Sequence, residues 1–106
     1  MNINSNKPWL KNYPKGVSTN IHFDEYTSLV DMFEKTCDRF NSNNAFTNFG
    51  VSLTFKEIYE KSLNLASFFQ HELNLSKGSR VAIMMPNILQ YPICTFGILK
   101  AGLIVE

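Results

Sequence analysis

Ser79-Arg-Val-Ala-Ile-Met-Met-Pro-Asn-Ile-Leu-Gln-Tyr-Pro-Ile-Cys-Thr-Phe-Gly-Ile-Leu-Lys-Ala-Gly-Leu-Ile-Val105 is the stretch whose reading decides the fold. Val81 to Met85 is apolar without alternation, the pattern of a strand covered on both faces. Pro86-Asn87 interrupts it. Asn87 is placed to cap the next helix, and Gln90 three residues on can reach back to it. Pro92 is tolerated if that helix begins near Leu89, because first-turn amides have no intrahelical partner to lose. Gly102 suits a left-handed helix end, and Lys100 suits its negative pole. Leu103 to Val105 then opens a second strand, parallel to the first by the crossover rule. The stretch predicts a β-α-β unit.

Its helix is unusual. At about 100° per residue, Ile93, Cys94, Phe96, Ile98 and Leu99 point in nearly every direction, so the helix requires cover all round. A membrane span is not the explanation. Only Ile93 to Leu99 is free of charge and proline, against the ~20 residues a span needs.

The surrounding totals fit one small folded unit. Of the 106 residues, 44% are hydrophobic and 13% aromatic, which belongs to a packed core and not to a disordered tail. A formal charge of +1 lacks the basic stripe that nucleic acid demands. No apolar run follows a basic start, so no secretory signal is read, and the expected compartment is the cytoplasm. Cys37 and Cys94 lack metal-ligand spacing and are expected to be small core hydrophobes.

Residues 1–26 show no periodicity, and Pro8, Pro14 and Gly16 space them as an extended arm. Trp9, Leu10, Tyr13 and Phe23 give that arm apolar anchors for a surface. Ser28-Leu-Val-Asp31 has capping-box form, and Leu29, Met32, Phe33, Thr36 and Phe40 predict a helix over 28–40. Ala45–Phe49 and Val51–Leu53 flank Gly50 as a hairpin. Thr54-Phe-Lys-Glu57 is a full capping box. Phe55, Ile58, Ser62, Leu65, Ala66, Phe69 and Leu73 then share one face, which predicts a helix over 55–73. Phe68 and His71 fall off that face.

Chemistry is sparse. The turn after the central strand has no glycine to bring amides against a phosphate. Gly97 and Gly102 have P-loop spacing, but Leu103-Ile104 stand where Lys-Ser/Thr is required, so a packing glycine and a helix cap explain them. The carboxylates are scattered, and no nucleophile-base pair or metal motif assembles. No catalytic, cofactor-binding or metal-binding residue is assigned.

Several segments, taken together, resemble one family. Leu53-Thr-Phe-Lys-Glu-Ile58 is similar to the first core motif of the adenylate-forming (AMP-binding) enzymes, the acyl-CoA synthetase and luciferase group. Leu99-Lys-Ala-Gly-Leu-Ile-Val105 is similar to their second. Pro8-Trp-Leu-Lys-Asn-Tyr-Pro-Lys-Gly-Val17, Tyr26-Thr-Ser-Leu-Val30 and Val81 to Pro92 resemble the bacterial long-chain fatty acid–CoA ligases more closely. Ser79 departs from the Asp usual there, and Glu106 stands where an apolar strand continues. The resemblance implies an α/β fold, with residues 27–106 as the incomplete first part of the large N-terminal domain. It also implies, for a complete enzyme, activation of a fatty acid by ATP and Mg to an acyl-adenylate, then transfer to CoA. The phosphate loop, adenylate motifs and catalytic lysine are expected beyond residue 106, so this chain alone is expected to bind no cofactor and to be inactive. Peripheral membrane association of the complete enzyme and self-association through the arm stay open. A stand-alone interaction module and a remnant of a decayed gene are the alternatives.

Overall fold

The computed structural model describes residues 7–106. From Lys7 to Thr27 the chain makes one short 3-10 turn, Pro8–Asn12, and is otherwise irregular. The body then runs α1 (Leu29–Arg39), β1 (Asn44–Asn48), β2 (Val51–Thr54), α2 (Phe55–Ser67), β3 (Arg80–Val81), α3 (Gln90–Lys100) and β4 (Ile104–Val105). β1 and β2 form an antiparallel hairpin. β3 and β4 pair in parallel, Arg80 opposite Ile104 and Val81 opposite Val105. The three helices, the hairpin and the β-α-β unit read from the sequence are therefore all present.

Local chemistry explains most boundaries. Thr54 and Glu57 form the full capping box of α2: Glu57 N–H donates to Thr54 Oγ1 at 3.2 Å, and Thr54 N–H donates to Glu57 Oε2 at 2.8 Å. At α1, Ser28 Oγ accepts from Asp31 N–H, but the Asp31 carboxylate accepts from Thr27 N–H, one residue before the cap. Aspartate is one methylene shorter than the usual glutamate, so the return bond lands on a different amide. Gly102 ends α3 at φ 80°, as its position in the sequence suggests.

The hairpin turns on Phe49 and Gly50, both left-handed at φ 48° and 78°. That is the two-residue turn favouring Asn-Gly, and a phenylalanine there carries backbone strain while standing 93% exposed. Phe49→Asn is expected to stabilise the hairpin by about 1 kcal/mol. Slower amide exchange in β1 and β2 is the check.

Four expectations are corrected. Asn87 does not cap α3. Ile88 N–H bonds Pro86 C=O in a tight turn, Leu89 takes the cap position without a side-chain bond, and Pro92 falls third in the helix. The strand read over 81–85 pairs regularly only at Arg80–Val81, with one further bond from Ile83 N–H to Glu106 C=O at 2.7 Å. It is covered on one face only. Val81, Ile83 and Met85 are half-buried, while Ala82 is exposed and Met84 is 96% exposed. The helix over 55–73 stays α-helical only to Ser67. Phe68–Glu72 widen into a π turn, with Leu73 N–H reaching Phe68 C=O. The wider turn keeps Phe69 in the core but rotates Leu73 outward to 49% exposure. On α1, the buried positions are Phe33 and Cys37, and Leu29, expected on the core face, is 61% exposed.

Two apolar clusters hold the body. Phe33, Cys37 and Ile58 join α1 to α2, with Leu53 of β2 and Ile93 and Phe96 of α3 against them. Ala66, Ile98, Ala101 and Leu103 join α2 and α3 to the parallel strands. α2 and α3 lie close at Gly97, where a Cβ would stand 3.0 Å from Leu65 Cδ2 and 3.1 Å from Ser62 O, so that any larger residue would press these neighbours back by a few tenths of an ångström. Buried Ser62 satisfies its hydroxyl on Ile93 C=O across the same seam. α3 thus receives cover from α1, α2 and the strands, more than its short surroundings suggested, and Cys94 remains half-buried. Of the arm's described residues, 7–26, none belongs to either cluster; Trp9, Tyr13 and Phe23 are exposed, and Leu10 is half-buried.

Candidate functional site

The two segments similar to the family's core motifs are joints. Leu53–Ile58 crosses from β2 into α2: Thr54 and Glu57 close the cap, and Ile58 enters the core with none of its surface exposed. Leu99–Val105 crosses from α3 into β4, burying Ala101 and Leu103 on either side of Gly102. Both motifs fix how elements meet. Among the described residues, no three His, Cys, Asp or Glu side chains stand close enough to hold a metal ion.

The densest group of titratable side chains lies where α1, α2 and α3 meet. Lys100 Nζ ion-pairs with Glu34 on α1, a contact 66 residues apart that no local spacing signalled. The lysine reaches this carboxylate although helix-end electrostatics alone would have kept it at its own carbonyls. Glu34 also borders an open groove of about 800 Å³ between α1 and α2, with Cys37, Asp38, Tyr59 and Glu60 among its walls. Burial, helped by the Glu34 charge, pushes the Cys37 thiol up to about 11. Burial also raises Cys94. Neither thiol is an activated nucleophile, because the thiolate is the reactive form.

These shifts set a direction for pH dependence. The hydrogen bond to Glu34 raises Lys100, and burial raises Cys37. A raised folded-state value stabilises below the unfolded value and loses that contribution as pH climbs through the folded one. Stability is therefore expected to fall from about pH 9, the ordinary thiol value, to about 11, with Lys100 adding its share above 10.5. Cys37→Ala is expected to flatten the lower part of that slope, measured by amide exchange of α1 across the range. An unchanged slope contradicts the assignment. On the acid side the sign reverses. Hydrogen bonds from Lys35 and Thr27 lower Asp31, and those from Thr54 lower Glu57, so both caps weaken as pH falls through their depressed values.

A smaller hollow of about 280 Å³ separates the hairpin from the start of α3. Phe46, Ile88, Leu89 and Pro92 make its apolar wall, and Asn48 Nδ2 donates to Asn87 C=O across it at 3.4 Å. The remaining surface of note is the uncovered face of the parallel strands, where Met84 and Ile104 point away from the helices, 96% and 45% exposed. None of these places joins a nucleophile to a base or presents a glycine-lined phosphate cradle. What the arrangement offers is a scaffold with apolar faces still open.

Comparison with known proteins gives a consistent picture. The profile described as AMP-binding enzyme matches residues 33–105. A long-chain-fatty-acid--CoA ligase of Escherichia coli O6:H1 is 52% identical over 99 residues, which is 93% of this chain and 18% of that protein. A ligase of the same description from Bacillus subtilis strain 168 is 38% identical over 103 residues, again 18% of its length. The chain thus spans under a fifth of the curated relatives it matches. Among solved structures, the NpsA N-terminal subdomain of Klebsiella oxytoca superposes at a TM-score of 0.69 and 26% identity, over 74% of this chain and 20% of that one. The anthranilate CoA ligase AuaEII, at 20% identity and a TM-score of 0.69 over 76% of this chain and 15% of its own, shares the fold. Among the described residues, no helix is long and apolar enough to cross a membrane.

Proposed function

Because this chain belongs to the AMP-binding enzyme family, we propose that it supplies the opening part of the large domain of a long-chain fatty acid–CoA ligase. Residues 1–26 are its arm, and residues 27–106 are the first part of the AMP-binding domain. The complete enzyme activates a long-chain fatty acid with ATP and Mg to an acyl-adenylate and passes the acyl group to CoA. It works in the cytoplasm and peripherally at the inner face of the membrane, where its apolar substrate partitions.

One observation carries the fatty-acid reading over other members of the family. The family profile begins at residue 33, yet the Escherichia coli ligase matches across 99 residues, a length that must take in most of the arm. A yeast acetyl-coenzyme A synthetase 1, from Kluyveromyces lactis, matches over only 55 residues. The matches that run along nearly the whole chain are thus to long-chain ligases. The role of the described residues is architectural. They seat α3 between two clusters and present β3 and β4 as the start of a sheet on which further strands can build.

The test is an exchange. Residues 7–105 replace the aligned segment of the Escherichia coli ligase, and thioester formation from oleate, ATP and CoA is measured. Retention within about tenfold is expected, the loss that ~1.4 kcal/mol of imperfect packing would cause. A chimera that melts like its parent but makes no acyl-CoA overturns the reading.

A further inference from the structure

Charge is divided unevenly along this nearly neutral chain. Residues 1–23 contain Lys7, Lys11 and Lys15 and no carboxylate, while the remainder carries seven basic residues against nine acidic ones. The first acids, Asp24 and Glu25, come just where the arm ends. Among the described residues, none of the three lysines pairs with a carboxylate.

The same segment repeats one pattern. Each lysine is followed two positions on by an apolar or aromatic residue: Lys7 by Trp9, Lys11 by Tyr13, Lys15 by Val17. Ile21 and Phe23 continue the apolar series. The structure leaves these side chains outward, with Trp9 52%, Tyr13 42%, Val17 54%, Ile21 76% and Phe23 83% exposed. The molecule extends 58 × 35 × 26 Å, and its radius of gyration is 18.1 Å, against about 13 Å for a compact chain of this length.

We propose that the arm is a peripheral anchor that lies on an anionic phospholipid surface. Its lysines meet the headgroups, and Trp9, Tyr13 and Phe23 enter the interface. Charge complementarity selects this occupant. An anionic leaflet attracts closely spaced lysines, and tryptophan and tyrosine partition to the headgroup level. A second copy fits less well, because the open groove between α1 and α2 is walled by charges of both signs. The proposal takes its setting from the peripheral location given above and names the segment and lipid class responsible.

Trp9 is the only tryptophan, so its emission reports the arm alone. The 106-residue chain at low micromolar concentration is mixed with vesicles of equal parts phosphatidylglycerol and phosphatidylcholine, and separately with phosphatidylcholine alone. Binding to the anionic vesicles with a blue shift of Trp9, weakened by added salt, is the expected result. Replacing Lys7, Lys11 and Lys15 together by glutamine is expected to lower the partition constant roughly 100-fold. Replacing Lys56, Lys61 and Lys77 by glutamine makes the same charge change on the body and is expected to leave binding nearly intact. Equal losses from the two triple variants, or binding with no shift of Trp9, overturn the arm's assignment while the peripheral location survives. No binding to either vesicle overturns both. A lipid-free dimer that only the arm variant abolishes assigns the arm to a second copy and overturns the proposal.

Discussion

Ile58→Ala is expected to cost about 2–5 kcal/mol, the range for truncating a fully buried isoleucine. Ile58 has none of its surface exposed, and Phe33, Leu53, Ile93 and Phe96 bring α1, the hairpin and α3 to the same cluster. Deleting three carbons there opens a void that no single element can close, because closing it would pull α2 away from its close approach at Gly97. Amide exchange in α2 and α3 reads the effect directly, and protection is expected to drop by two to three powers of ten. Phe68→Ala is the contrast, since Phe68 is 45% exposed on the π turn and is expected to change protection little. Similar losses at the two sites contradict Ile58 as the point where the elements meet.

The 106-residue chain on its own is expected to bind a hydrophobic dye and to self-associate. Phe49 and Met84 are at least 93% exposed, and each forgoes ~1.5–3 kcal/mol of available burial. That sum is comparable with the lower end of the ~5–15 kcal/mol that holds an ordinary domain together. Unpaired strand edges beside Met84 add a template for further strands. Dye fluorescence and sedimentation velocity check this. Extending the chain with the segment that follows in the Escherichia coli relative is expected to quench the dye and restore a cooperative melt. A monomer that is dye-silent and melts sharply above about 50 °C instead overturns the expectation.

What the sequence disclosed was local, and what it concealed was distant. The Thr54-Glu57 box is legible because both partners lie within one turn, and the structure forms both of its bonds. Gly97 could be read as a packing glycine only by eliminating a P-loop. The contact with Leu65 and Ser62 that explains it comes from another helix. Asn87 had capping chemistry in the right place, but the turn closed by Pro86 and Ile88 moved the helix start past it. The apolar run Val81–Met85 was read as covered twice, yet only one face meets helices among the described residues. The Glu34–Lys100 pair had no periodic signature at all. For the candidate site, the sequence assigned no catalytic residue. Its two family motifs mark the joints α2–hairpin and α3–β4, because fixed joints constrain sequence as tightly as chemistry does.

The parallel pairing of Arg80 with Ile104 also has a consequence in time. A hairpin closes as soon as its second strand is made, whereas β3 must wait for 24 further residues, counted from Arg80 to Ile104, before its partner exists. At ordinary elongation rates of about 5–20 residues per second, that interval lasts roughly 1–5 s. Helix α2 is complete by then, and its Ala66 and the Phe69 of the π turn have as yet neither Ile98 nor Leu103 to meet. The nascent chain thus passes through a stage in which a finished helix displays half of its core to whatever is nearby on the ribosome. Holding factors that recognise apolar segments have their opportunity during those seconds, before Leu103 is delivered and the second cluster closes.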